Sequence, residues 1–174
     1  ASYGQTFFIS LFNTEIRIFY NLSDGEFGLV YAIATLSSSF ILISFAKLID
    51  HLDLRVYSFI ITLGFLFACL GMVLLINNIL YLFLIIFMLR FFGQGAMSHA
   101  GETTMARYFG NNRGKALSVA TLGGMAGVMF LPFIALNYFK NIEMSHLWFY
   151  ACVSIIFFIP FIFLALSDQK ARHN

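Results

Sequence analysis

Long uncharged stretches divide this chain, and its charged residues collect between them. About 20 mostly apolar residues cross a bilayer core of roughly 30 Å as a helix, and residues 27–46, 116–139 and 144–167 each suffice. The longest uncharged run, 56–89, holds two segments divided at Asn77-Asn78, and the second continues past a single charge, Arg90, to Gly101. Residues 1–14 are uncharged but too short to cross. With an opening at Ala1 rather than methionine, they are expected to form the outer half of a first span whose beginning is missing. The pattern predicts helices over 1–19 (partial), 25–49, 55–76, 79–106, 114–139 and 144–167, an all-α membrane protein built as a six-helix bundle. Ser23 and Glu26 have the spacing of a capping box at the start of the second helix.

Composition sharpens this reading. Of the 174 residues 60% are hydrophobic and 10% charged, with 23 Phe, which leaves too little polar surface for a domain in water. Soluble enzymes, nucleic-acid readers and disordered tails are thereby excluded, and a net charge of +2 gives no argument for a polyanionic partner. Lys47, Arg55, Arg107, Arg113, Lys115, Lys170 and Arg172 fall on one side of the predicted spans, against Arg17 and Lys140 on the other. By the positive-inside rule the first side is cytoplasmic. The expectation is a multi-pass protein of the plasma (inner) membrane with both ends of the fragment cytoplasmic. Tyr20, Tyr57, Tyr81, Tyr108, Tyr138, Trp148 and Tyr150 lie near span ends, as interfacial aromatics do. Cys69 and Cys152 fall inside apolar runs and read as small packed hydrophobes.

Polar side chains within the spans need partners or a wet cavity. The third and sixth spans carry few of them and are expected to be peripheral and lipid-facing. In the first span Tyr3, Thr6, Ser10, Asn13 and Arg17 recur at helical spacing, which predicts one wet or hydrogen-bonded face. In the fourth, Arg90 has eleven residues on either side within 79–101, so it lies near the midplane, where a guanidinium costs at least ~2.5 kcal/mol unless paired or hydrated. At 3.6 residues per turn Gln94, Met97 and Gly101 fall within about 40° of it. Arg90 either draws a ligand or bonds neighbouring carbonyls or carboxylates to fix packing; the first reading is preferred. His99 points the opposite way and reads as a packed neutral imidazole, and Glu102 as a partner for Arg107 or Lys115 near the cytoplasmic end. Ala116, Ala120, Gly123, Gly124 and Gly127 form a small-residue stripe for close helix packing, as Ser37, Ser38 and Ser39 do in the second span. Pro132 can kink the fifth span.

Gly110 to Ala116 resembles a phosphate-binding loop but has three residues between its glycines and Ala116 in place of the Ser/Thr ligand. His51, His99, His146 and His173 fall in separate segments, so no metal or other cofactor is expected. Two echoes suggest a repeat: Ala34-Thr35-Leu36-Ser37-Ser38 with Ala120-Thr121-Leu122-Gly123-Gly124, and Tyr3-Gly4-Gln5 with Phe92-Gly93-Gln94, at offsets of 86 and 89 residues. Three spans per unit make the units inverted, a 3+3 arrangement found in transporters.

Three motifs then carry a resemblance that runs nearly end to end. Ala46 to Arg55 is similar to the cytoplasmic loop signature of the major facilitator superfamily through Leu48, Asp50 and Arg55, departing at Ala46, His51, Asp53 and Leu54. Arg90-Phe91-Phe92-Gly93-Gln94-Gly95 resembles the family's fourth-helix signature, and Ala106 to Gly110 with Arg113 to Leu117 its arginine-aromatic-Phe and Arg-Gly-x-Ala-Leu runs. The resemblance implies the N-terminal half of a twelve-helix secondary transporter, not an enzyme, working by alternating access on a small solute such as a mono- or dicarboxylate, and lacking here its C-terminal six-helix half. Arg90, Gln94, Thr6, Ser10 and Asn13 would line the path, Asp50 and Arg55 would form a gating latch, and Gly123 and Gly127 would pack helices. The rival reading is a non-transporting six-span structural or accessory subunit.

Overall fold

The computed structural model describes residues 2–138 and 143–166, and every regular element among them is helical. The first span is broken into α1 (Thr6–Ile9), a 3-10 turn at Ser10–Phe12, and α2 (Asn13–Tyr20). There follow α3 (Asp24–Ala46), a 3-10 turn at Lys47–Asp50, and α4 (Leu54–Leu74). The fourth span comprises α5 (Ile79–Met88), a π-helical segment at Leu89–Ala96, and α6 (Met97–Tyr108). A 3-10 turn at Gly110–Asn112 leads to α7 (Arg113–Tyr138), and α8 (Met144–Ala165) closes the described chain. Among the described residues five helical stretches, beginning at Asp24, Leu54, Ile79, Gly110 and Met144, are long and apolar enough to cross a membrane. Lys140, Lys170 and Arg172, and the expected ends of the fifth and sixth spans at 139 and 167, lie outside the described residues.

Local chemistry sets the helix boundaries. The capping box forms as its spacing predicts: the Glu26 carboxylate accepts from the Ser23 amide at 2.8 Å, and the Glu26 amide donates to Ser23 Oγ at 3.3 Å. Asn21 closes α2 in the left-handed region at φ 53°, which asparagine tolerates better than most residues. Asn78 Oδ1 accepts from the amides of Leu80 and Tyr81 at 2.8 and 3.2 Å, satisfying two of the orphan donors of α5. An Asn78→Ala variant is expected to lose about 1 kcal/mol, roughly 2–4 °C in thermal unfolding in detergent. Pro132 falls inside α7, which runs through it.

The helix pairings obey an exchange rule. α4 lies along α8; α3 along α5 and the π segment; the π segment also lies on α4, α6 on α7, and α1 on α7. The first span meets α8 through Phe8 and Phe12, whose rings sit 5.4 and 5.9 Å from that of Trp148. It meets α3 through Tyr31, which donates to Thr6, and through the Arg17–Asp24 ion pair. Swapping the first, second and third spans for the fourth, fifth and sixth maps these pairings onto one another, as an inverted 3+3 repeat requires. The echoed glycines meet at the centre of this arrangement. A Cβ on Gly93 would lie 2.9 Å from the Gly4 Cα, and one on Gly4 would lie 2.4 Å from the Leu89 carbonyl oxygen.

Several expectations are corrected. The third span is not peripheral: 44% of its apolar window is buried, against 17% for the second and none for the fifth. Apolar composition suits lipid and protein core equally, so it does not separate the two. Tyr20, Tyr57 and Trp148, near span ends, are buried against other helices, Tyr57 and Trp148 completely. The first span does not present one polar face, because its 3-10 turn changes the helical phase. The Tyr3 hydroxyl accepts from Ser154 on α8 at 3.2 Å, Thr6 faces α3 and the π segment, and Ser10 donates to the Phe7 carbonyl of its own turn at 2.9 Å. Cys69 and Cys152 are free and buried, as read from their apolar surroundings.

Candidate substrate site around Arg90

Arg90 occupies the second position of the π segment. Such wide turns, with i→i+5 hydrogen bonding, cluster at functional sites. The guanidinium donates through Nη1 to Thr6 Oγ1 at 2.7 Å and to Gln94 Oε1, and its carbon lies 5.4 Å from the centroid of the Tyr31 ring. Tyr31 donates its hydroxyl to the same Thr6 oxygen at 3.0 Å. Three residues, one each from the first, second and fourth predicted spans, thus hold one cation by neutral oxygens and a π face. Each supplies electron density, and none supplies a counter-charge.

Arg90 Nε is buried without a hydrogen-bond partner, and Arg90 forms no ion pair among the described residues. A midplane guanidinium stabilised only by neutral groups keeps most of its electrostatic attraction for an anion. The arrangement is that of a pre-aimed, positively charged seat, half-buried and open on the side where Thr6 is exposed.

Of the predicted path residues, the structure brings Arg90, Gln94 and Thr6 together. Ser10 is exposed and turned to its own backbone, and Asn13, at the start of α2, is half-buried. Tyr31 was not foreseen from the sequence; its signal is an aromatic on the second span, a type that stacks on guanidinium. Met97 and Gly101, expected on the face of Arg90, instead line a separate cavity of about 520 Å³ that Arg90 does not reach. The π segment, absent from a 3.6-residue projection, changes the phase of α6.

The sequence pattern of the Major Facilitator Superfamily matches residues 1–174, the whole chain. The chain belongs to that family. Comparison with curated proteins and with solved structures found no match. Membership makes this major facilitator chain a membrane protein of a secondary transporter class with a small-molecule substrate.

The motif loop of this major facilitator chain lies against the end of α8. Arg55 Nε donates to the Leu166 carbonyl at 2.9 Å, satisfying a terminal acceptor where the helix dipole favours a cation. Its own amide donates to Asp53 Oδ1 at 2.9 Å. Asp50 ends the preceding 3-10 turn and is exposed. On α7, a Cβ added to Gly123 meets nothing within 4 Å, so that part of the small-residue stripe touches no described neighbour; Gly127 is half-buried. Ser38 and Ser39 both donate to the Thr35 carbonyl of their own helix.

Proposed function

We propose that this chain is part of a secondary transporter that moves a small organic anion, a mono- or dicarboxylate, by alternating access, with Arg90 as the anion seat. The observation that carries the proposal is the Arg90 guanidinium held by Thr6, Gln94 and Tyr31, with no carboxylate on it among the described residues and one N–H unpartnered. Arginine's planar fork matches a carboxylate in two parallel hydrogen bonds. The substrate therefore supplies the missing charge. It leaves as readily as it comes, because the guanidinium returns to neutral partners already in place.

In this reading a second six-helix half completes the path. The side bearing Lys47, Arg55, Arg113 and Lys115 faces the cytoplasm of the plasma membrane, and the Asp50–Arg55 loop acts there as part of a gate. Counterflow of radiolabelled carboxylates into proteoliposomes of the full-length protein tests the proposal. Accumulation is expected for a carboxylate and not for its amide; equal accumulation of both, or of neither, overturns it. Tyr31→Phe keeps the ring over Arg90 and removes only the hydroxyl bond to Thr6. It is expected to raise the apparent KM a few-fold, the worth of one hydrogen bond at about 0.5–1.5 kcal/mol.

A further inference from the structure

The cavity of about 520 Å³ that contains Met97 and Gly101 lies between α6, α7 and residues 2–5. Its apolar wall comes from Met97, Leu117, Met125 and Met129, and its chemistry from Gln5, Ser98 and Glu102. All three can offer oxygens. Gln5 Oε1 is buried and has no hydrogen-bond partner, so a donor is missing at that spot. Among the described residues no lysine, arginine or histidine lines the cavity and Glu102 forms no ion pair; the side chain of Arg107, one of the two partners expected from sequence beside Lys115, lies outside them.

The repeat gives this cavity a meaning. The offset of 89 residues that relates Gly4 to Gly93 also relates Gln5 to Gln94, and the offset of 86 relates Tyr31 to Leu117. The Arg90 seat is built from the fourth, first and second spans; the cavity is built from the first, fourth and fifth. Two of the four seat residues thus have repeat counterparts in the cavity wall, Gln94 in Gln5 and Tyr31 in Leu117. What differs is the sign of charge. Where the first has a guanidinium and an aromatic ring, the second has a carboxylate, an unpaired amide oxygen and flexible methionines that adapt to an apolar body.

We propose that this cavity binds a small organic cation, an apolar group carrying a protonated amine, whose N–H donors fall to Glu102, Gln5 Oε1 and Ser98 Oγ. The volume lies within the range of small-molecule sites, roughly 300–1,000 Å³. This assignment stands apart from the anion seat, since no residue serves both.

Equilibrium binding of radiolabelled phenethylammonium to the full-length protein in nanodiscs tests it. Saturable binding is expected, displaced by unlabelled phenethylammonium but not by phenylacetate. Glu102→Gln is expected to weaken it about tenfold or more and Gln5→Leu several-fold, while Arg90→Ala leaves it unchanged. Absence of saturable binding up to roughly 10 mM, or equal affinity in Glu102→Gln, overturns the proposal. If Glu102→Gln does not fold, Ser98→Ala, on the exposed side of α6, replaces it as the deciding variant: reduced affinity supports the site and unchanged affinity overturns it. Failure of Arg90→Ala to affect carboxylate counterflow would count against the anion seat alone.

Discussion

An Arg90→Ala variant is expected to lose carboxylate transport by roughly thirty- to several-hundred-fold while still inserting and folding. The size follows from removing one member of a desolvated, hydrogen-bonded charge pair, about 2–4 kcal/mol. Folding is spared because the partners left behind are not stranded. Thr6 is exposed and can take water, Tyr31 keeps its bond to Thr6, and Gln94 is only half-buried. The substitution also removes a midplane charge whose insertion costs at least ~2.5 kcal/mol. Arg90→Lys should recover part of the activity, since it restores charge without the two-pronged geometry. Initial rates over a range of substrate concentrations, beside thermal unfolding of the same preparations, separate the two effects. Wild-type rates in Arg90→Ala would remove this residue from the transport path.

Gly93→Leu is expected to do the reverse, destroying the fold before any question of transport arises. A Cβ at this position would sit 2.5 Å from Cε2 of Phe65 and 2.9 Å from the Gly4 Cα. Phe65 is itself buried, and the glycine opposite is backbone, so neither can swing aside. The first and fourth spans would have to part, and with them the pairing of Thr6 and Arg90. Overpacking of this kind costs about 1–3 kcal/mol where the surroundings can shift, and more where backbone blocks backbone. Fluorescence-detected size exclusion should show loss of the monodisperse species, or a strongly lowered midpoint. Gly28→Ala is the control: nothing lies within 4 Å of its added Cβ, and alanine favours the helix by up to about 1 kcal/mol. Equal midpoints for Gly93→Leu and wild type would contradict the crossing of spans described above.

How much of this was legible in the sequence depends on which physical signal a residue gives. Asp24–Ala46 and Leu54–Leu74 follow from uncharged length, and the Ser23–Glu26 cap from spacing alone. Arg90 stood out because charge in hydrocarbon is costly, and Gln94 because four residues still return to the same side of the helix. The burial of Tyr57 and Trp148 was not legible, since an aromatic near a span end satisfies the interface and the core equally well. Nor was the partner of Thr6 on the second span, because Tyr31 lies 25 residues away and carries no periodic mark. The echo of Tyr3-Gly4-Gln5 in Phe92-Gly93-Gln94 was readable as a repeat. That the two copies would touch, glycine against glycine, came only with the three-dimensional arrangement.

The π segment at Leu89–Ala96 has a consequence for chain length itself. A wide turn stores surplus residue within a helix, and each residue of an α-helix is worth about 100° of rotation. Deleting one residue from this stretch would let the fourth span relax toward uniform α-helix without losing a single polar group. It would also turn everything from Met97 onward relative to Ile79–Met88, carrying Ser98 and Glu102 away from Gln5 while leaving Arg90 beside Thr6. The spacing between the two charged sites is thus written in the count of residues as much as in their kind. A one-residue change of length here would uncouple an anion seat from a cation chamber that substitution leaves in register.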